Sequence, residues 1–458
     1  MREWNPVVKL LMPEIQEAIR RKDWETLSDV VSSWEPVEIA DLLTELEPED
    51  ALTLFRLLTP ELQSETLAKL DVGLQQSLLG RLPDSEVKAV LTEVKPDDRT
   101  ELLEELPEEL SHRILQILTP EDRQEALELL AFPENSVGRL LTPDFVAVKP
   151  EWTIAEALEH IRKNGHDAET IDMIYVVDDD GRLLDDVPIR RFILASPYER
   201  VESIMDRSVV SVPAEADQEE AARLMQKYDL VSLPVTDREG RLLGIVTIDD
   251  MVDVLQEEQT EDFTKLSAIH APAVDLDLIT RIREVPLSKL YRSRVVWLVF
   301  LLLMDLITGG IIQGFQETLA KYVVLVSFLP VLVDTAGNAG SQSATLVIRA
   351  MALGTIQMRD WLYLLGRELL VATALGLTMG LGISFMGIFR GGSTHIASVV
   401  VLTMVVNVIV GSLIGILLPF IFTKLKRDPA TASTPLITTL ADIIGTGIYL
   451  GIASWMLR

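Results

Sequence analysis

Three groups of oxygen-bearing side chains in this 458-residue chain have types and spacings suited to holding cations. The first is a lone carboxylate, Asp442, inside the apolar segment TPLITTLADIIGTGIYLGIASWML (434–457). A carboxylate at bilayer depth costs roughly 2.5–3.5 kcal/mol even on lenient insertion scales, so it lines a pore or ion path far more often than it faces lipid. The second follows YVVLVSFLPVLV, where an apolar run gives way to DTAGNAGSQSATLVIRA (334–350). Asp334, Asn338, Ser341 and Gln342 offer oxygens to a hard cation or to its waters. The absence of a basic residue among them argues against an anion filter. Polar packing between helices, helped by Gly337 and Gly340, is the competing explanation. The third is IDDMVDVLQEEQTED (248–262), where Asp250, Asp253 and Glu257 fall three and four residues apart on one helical face. Like charges so placed repel, and divalent cations relieve the repulsion; a merely solvated acidic face is the alternative. His166 and His270 stand alone and read as structural. There is no Cys, no nucleophile–base pair and no Walker-type loop, so neither thiolate chemistry nor an enzyme is expected.

The elements that position these groups divide the chain by charge. Of 70 acidic and 41 basic residues, 62 and 29 lie in residues 1–283, a balance of −33, against +4 from Glu284 onward. Such an acidic half excludes nucleic acid as a partner. The N-terminus, MREWNPVVKLLMPEIQEAIRRKDW, has no long apolar stretch and no small-residue cleavage site, and reads as an amphipathic helix, not a signal peptide. Between residues 30 and 130, Pro48, Pro60, Pro83, Pro96, Pro107 and Pro120 each open an acidic stretch followed by an apolar helix face, as in KPDDRTELLEEL. Proline suits a first helical turn, and the acids suit the helix dipole. The period near twelve predicts short helices stacked as a superhelix over residues 1–135.

Residues 138–262 alternate strands and helices and contain a duplication. IYVVDDDGRLLDDVPIRRFI (174–193) matches LPVTDREGRLLGIVTIDDMV (233–252) at a constant offset of 59. Residues 263–294 form a connecting helix ending in the basic cluster Arg281, Arg283, Lys289, Arg292 and Arg294. Five apolar segments follow, at about 295–315, 322–349, 361–388, 396–423 and 433–457, each long enough to cross a bilayer. The glycine pairs 310/314, 376/380, 411/415 and 447/451 read as helix-packing positions. Arg349, Arg359 and Arg367 lie between the second and third segments, and Lys424, Lys426 and Arg427 between the fourth and fifth; the alternate loops carry only Lys321 and Arg390. The charge bias places the N-terminus in the cytoplasm and the C-terminus outside, in a multi-pass protein of the cell (inner) membrane.

The duplicated segment resembles a pair of CBS (cystathionine-β-synthase-type) motifs. Many such pairs bind adenine nucleotides through a Thr/Ser-x-x-Asp at a strand–helix junction. That resemblance implies ATP or another adenine nucleotide at Thr247 and Asp250; the first copy has Pro188 and Arg191 there.

Over nearly its whole length the chain resembles the MgtE family of magnesium transporters, most specifically in PVLVDTAGNAGSQSATLVIRA (330–350) and DPATASTPLITTLADIIG (428–445). The resemblance implies a multidomain fold: an all-α superhelical N-domain, an α/β tandem CBS domain, and an α-helical membrane domain with five transmembrane helices. It implies a homodimer in a lipid bilayer, with a Mg²⁺ pore lined by the second and fifth spans. Asp442 maps to the pore carboxylate and Thr438 to a pore carbonyl, while Ser341 and Thr434 stand where a family member has amides. Asp334 and Asp305 are acids where that member has glycine. Cytosolic Mg²⁺ ligands map to Asp217, Glu219, Asp229, Asp250, Asp253, Glu258, Glu261 and Asp262, with Asp428 at the membrane edge. The family's helical-domain ligands fall at Ser85 and Ala89, beside Asp84 and Glu86. The expected function is Mg²⁺ uptake down the membrane potential, shut off by cytosolic Mg²⁺. The alternatives are a CBS-regulated transporter of another divalent cation (Mn²⁺ or Co²⁺), of anions or of organic solutes, and a membrane-anchored nucleotide sensor without transport.

Overall fold

A computed structural model describes residues 6–269, 285–391 and 394–457. Residues 270–284 of the expected connecting helix, with His270, Arg281 and Arg283, lie outside the described residues. The chain forms two compact units, residues 1–255 and 256–458.

The first unit opens with short helices. Pro36, Pro48, Pro60, Pro96 and Pro120 occupy first-turn positions, and Thr59 and Thr119 cap the helices that follow them. Pro83 and Pro107 sit one residue earlier, at the cap itself. The helix Val72–Arg81 breaks the proline rhythm and is capped by Asp71 instead. Alternate helices pack on one another: Pro36–Glu45 on Pro60–Ala68, then Asp84–Glu93, then Glu108–Ile117. This produces the superhelical stack around Leu42, Phe55, Leu79 and Leu91. Arg99 is buried at its end, donating to the Leu91 and Val94 carbonyls at 3.3 and 3.4 Å and pairing with Glu125.

The CBS pair keeps its duplication in three dimensions. Strands β1 (Ala147–Val148), β2 (Met173–Val177) and β3 (Leu183–Pro188) form one sheet in that order, and β4 (Val212–Pro213), β5 (Ser232–Thr236) and β6 (Leu242–Thr247) form the other. In each, the first two strands are parallel and the last two antiparallel. Val176 pairs with Asp185, and Val235, 59 residues on, pairs with Gly244. Gly181 and Gly240 turn the equivalent hairpins at φ +78° and +80°, a conformation that needs glycine. The hairpin tips bond reciprocally, Leu183 N–H to the Gly240 carbonyl and Leu242 N–H to that of Gly181, both at 3.0 Å. The symmetry ends at the last helix, which has six residues in the first copy (Ile189–Leu194) and nineteen in the second (Ile248–Leu266).

The second unit has five helices long and apolar enough to cross a membrane: Leu287–Gly314, Val323–Ala352, Met358–Phe385, Thr394–Lys424 and Thr434–Met456. The first begins at Leu287, because Lys289, Arg292 and Arg294 continue its helix instead of ending the one before. In the second span the apolar run gives way to the polar stretch 334–350 without a break in the helix. That stretch lies within one unbroken helix, Leu329–Ala352, and the irregular backbone is upstream, in a 3₁₀ turn at Val323–Ser327. Its glycines serve close packing, since a Cβ on Gly340 would meet the Gly411 carbonyl at 2.6 Å and one on Gly415 the Gly340 carbonyl at 2.0 Å. Gly376 and Gly380 likewise face the fourth span, at Val405 and Val401. A Cβ on Gly310, Gly314, Gly447 or Gly451 would meet nothing within 4 Å among the described residues. Asn407, buried in the fourth span, ties its neighbours together by donating to the Leu332 and Gly445 carbonyls at 3.4 and 3.2 Å.

Candidate functional site

In the membrane unit, the second and fifth spans touch where the sequence placed its pore residues. A Cβ on Gly337 would lie 3.1 Å from the Thr438 methyl, tighter than ordinary contact, so glycine eases the approach of the two helices. One face of the second helix, with Ala336, Gly337, Gly340, Ser343 and Ala344, is buried. The opposite face carries Asp334, Asn338, Gln342 and Thr345, spaced four, four and three residues apart and exposed within the protomer. Asn338 donates from Nδ2 to Asp334 Oδ2 at 3.0 Å, which orients the carboxylate. Ser341, between the two faces, has a buried hydroxyl with no hydrogen-bond partner. In the fifth span Thr434 is exposed in the first turn, Thr438 bonds the Pro435 carbonyl at 2.9 Å, and Asp442 is half-buried one turn further on. The charges of Asp305 and Asp334 both reach Asp442, so carboxylates from the first, second and fifth spans share one electrostatic neighbourhood. Among the described residues no three acidic or His side chains approach closely enough to clasp one bare ion. Separated oxygens of this kind suit an ion that keeps its water shell, as Mg²⁺ does.

An Asp334→Asn substitution is expected to lower cation flux most at low ionic strength, where the field of an exposed carboxylate is least screened. Flux measured across a salt series checks this; a changed preference among divalents would instead put Asp334 in direct contact with the ion.

Glu368, which sequence reasoning passed over, is a carboxylate in the third span held 2.6 Å from the Ser343 hydroxyl of the second. Its place between flanking charges and an apolar run gave no signal of a partner on another helix.

In the first unit, Asp217 caps the helix Gln218–Tyr228, accepting from Glu219 N–H at 2.9 Å, and Asp229 ends it in a left-handed conformation at φ +54°. Glu219 lies 3.6 Å from Arg223. Asp253 is exposed and Glu258 half-buried along the helix Ile248–Leu266. The Thr247 hydroxyl lies 2.5 Å from Asp249 and 3.0 Å from Asp250, tying the strand–helix junction together. The acids beside Ser85 and Ala89 are occupied, Asp84 by Arg113 and Glu86 by Arg56, each at 2.5 Å.

Asp97 and Asp98 instead carry the acidic contact from the helical domain. Burial pushes the Asp97 carboxyl up to about 8, and the charges of Asp250, Asp98 and Glu169 push the same way. Burial raises Asp98 too, against the pull of Lys69 and Lys95. Asp250 is pushed up to about 7, first by burial and then by Asp249, although its bond from Thr247 works the other way. The sequence hid this pair, because acids after a first-turn proline look like ordinary dipole-favouring residues.

These raised values have a consequence for stability. The folded state holds these protons more tightly than the unfolded chain, so their contribution is full below the ordinary carboxylate range. It is lost as pH rises through about 7 to 8. Melts of the full-length protein in chelator are therefore expected to fall between about pH 6 and about pH 8.5. Millimolar Mg²⁺ should restore more at the higher pH, and Asp97→Asn should flatten the dependence.

A CBS pair followed by five helices long and apolar enough to cross a membrane, three of them bearing carboxylates whose charges reach one another, fits a multi-pass cation transporter. The match to known proteins is closer than that. The family model described as a divalent cation transporter matches residues 329–452, that of the MgtE intracellular N domain 34–135, and that of the CBS domain 137–196 and 201–257. The magnesium transporter MgtE of Thermus thermophilus is 38% identical over 98% of this chain and 99% of its own length. That of Bacillus subtilis is 32% identical over 93% and 92%. The chain belongs to the MgtE family of magnesium transporters. Among solved structures, the cytosolic domain of the Mg²⁺ channel MgtE in complex with ATP is 39% identical, with a TM-score of 0.51 over 52% of this chain and 98% of that one. The soluble part of a magnesium transporter, at 25% identity, covers 55% and 99% with a TM-score of 0.52.

Proposed function

We propose that this chain forms a homodimeric, Mg²⁺-selective channel or transporter of the cell's inner membrane. Its N-terminus is cytoplasmic and its C-terminus outside, and cytosolic Mg²⁺ closes it by binding the acids of the helical and CBS domains. The observation that carries the reading is the meeting of Asp442 with the charges of Asp305 and Asp334, beside the Gly337–Thr438 contact. The polar stripe of Asp334, Asn338 and Gln342 leads along the second span, and Ser341 and Thr434 add hydroxyls. Inward movement needs no ATP, since a divalent ion gains about 4.6 kcal/mol per 100 mV of inside-negative potential. Asp97, Asp98, Asp249 and Asp250 form the sensor, joined by Asp217, Glu219, Asp229, Asp253, Glu258, Glu261, Asp262 and Asp428. The ATP held by the related cytosolic domain supports a second ligand here, an adenine nucleotide at Thr247 and Asp250.

The test is uptake into proteoliposomes under an inside-negative potential, with Mn²⁺, Co²⁺ and Ca²⁺ as competitors. Mg²⁺ uptake that the others barely inhibit is expected. Preferential uptake of Mn²⁺ or Co²⁺ would replace the selectivity assigned here, and no cation flux at all would leave only the nucleotide-sensor reading.

A further inference from the structure

The end of the long helix Ile248–Leu266 meets a built-in cation. Lys265 Nζ lies 2.7 Å from Glu261 Oε1 and 2.5 Å from Asp428 Oδ2. Asp428 is held from its other side as well, where Oδ1 accepts from Ala430 N–H at 2.8 Å and caps the turn Pro429–Thr431. The next residue, Leu266, packs into an apolar cluster made by Ala344 and Ile348 of the second span, Ala430 and Ala432 of the turn, and Ile437 of the fifth. The side chains of Lys265 and Asp428 are 30 and 34% exposed, so solvent screens the pair only in part.

We propose that Lys265 is a positioning residue of the gate, a resident cation that seats this helix end on the membrane unit with no metal bound. A lysine ammonium is a compact point charge with three donors, able to serve two carboxylates at once. Glu261 and Asp428 are two of the acids assigned above to regulatory Mg²⁺, so the inference rests on that reading at this one point. A divalent ion arriving there must displace the ammonium. The joint is thus the fixed end of the regulator, and the metal-dependent movement belongs upstream, where Asp97 and Asp98 face Asp249 and Asp250.

The chain has no Cys, so an introduced pair reports cleanly. Leu266→Cys and Phe422→Cys, both at partly buried positions of the same cluster, are to be joined by a short thiol crosslinker in the full-length protein in bilayer discs. The parent pair is expected to crosslink at the same rate in chelator and in millimolar Mg²⁺. Adding Lys265→Met should slow the reaction in chelator roughly tenfold, as loss of a charge-assisted bond implies, and Mg²⁺ should restore it. Lys265→Arg, which keeps the charge, should stay near the parent rate and shows that the site tolerates change. An unchanged rate for Lys265→Met in chelator, or a parent that crosslinks only with Mg²⁺, overturns the proposal. Slow crosslinking of Lys265→Met that Mg²⁺ does not restore keeps the lysine seat and removes Glu261 and Asp428 from the Mg²⁺ ligands.

Discussion

Replacing Asp442 with Asn is expected to abolish Mg²⁺ uptake, or to reduce it by two orders of magnitude or more, in a protein that still assembles and melts as the parent does. Asn keeps the volume and one carbonyl oxygen of Asp but removes the charge, so the change acts on the ion and hardly on packing. Asp442 is half-buried and no neighbouring Lys or Arg neutralises it among the described residues. Its charge is set against those of Asp305 and Asp334, an arrangement that repels itself until a cation arrives. Loss of one full charge from contact with a divalent ion at about 4 Å changes the interaction by about 8 kcal/mol at an effective dielectric of ~20, far above the 1.4 kcal/mol that makes a factor of ten. The measurement is uptake of Mg²⁺ by liposomes under an imposed potential, with monodispersity in detergent as the control. Near-normal uptake by the Asn variant would remove Asp442 from the ion path and return it to the polar packing that small residues in spans otherwise support.

What the sequence revealed here, and what it did not, follows from the range of the interactions involved. Proline-led helices, the 59-residue duplication and five long apolar runs are local signals, each decided by residues adjacent in the chain. The class of cation chemistry was legible for the same reason, since a carboxylate inside an apolar segment is visible without knowing its neighbours. The backbone of the polar stretch 334–350 was not legible because Gly, Asn and Ser carry two meanings. In isolation they weaken a helix, whereas in this unit Gly340 lets the Gly411 backbone approach and so stabilises an unbroken one. Asp97, Asp98, Glu368 and Lys265 were passed over because each acquires its meaning from a residue far along the chain: Asp250, Asp249, Ser343 and Asp428. Nothing in the local pattern distinguishes such a residue from an ordinary charge on a helix.

The second large effect is expected from removing residues 1–255. The remaining unit, 256–458, is compact by itself and retains the five spans and the Lys265 joint. It should conduct Mg²⁺ and stay open at millimolar cytosolic Mg²⁺, where the proposed gating closes the full-length protein. The reason is electrostatic. At low Mg²⁺ and above about pH 8, Asp97 and Asp250 confront each other as charges, with Asp98 and Asp249 beside them. Two unit charges 4 Å apart repel by about 4 kcal/mol at an effective dielectric of ~20. Moving a two-state gate from 1:99 to 99:1 takes only about 5.5 kcal/mol, so two such contacts suffice to hold the regulator apart. On the proposed gating, Mg²⁺ filling the sites would reverse the sign of the interaction, draw the helical and CBS domains together and shut the path, giving uptake a negative feedback. Protons do part of the same work, so the full-length protein should need less Mg²⁺ to close near pH 6 than near pH 8. Patch recordings with the cytosolic face perfused check both statements. If the truncated channel still closes with the parent's Mg²⁺ dependence, the acidic domains are a solvated surface and the sensor lies in the membrane unit, with Asp428 as its first candidate.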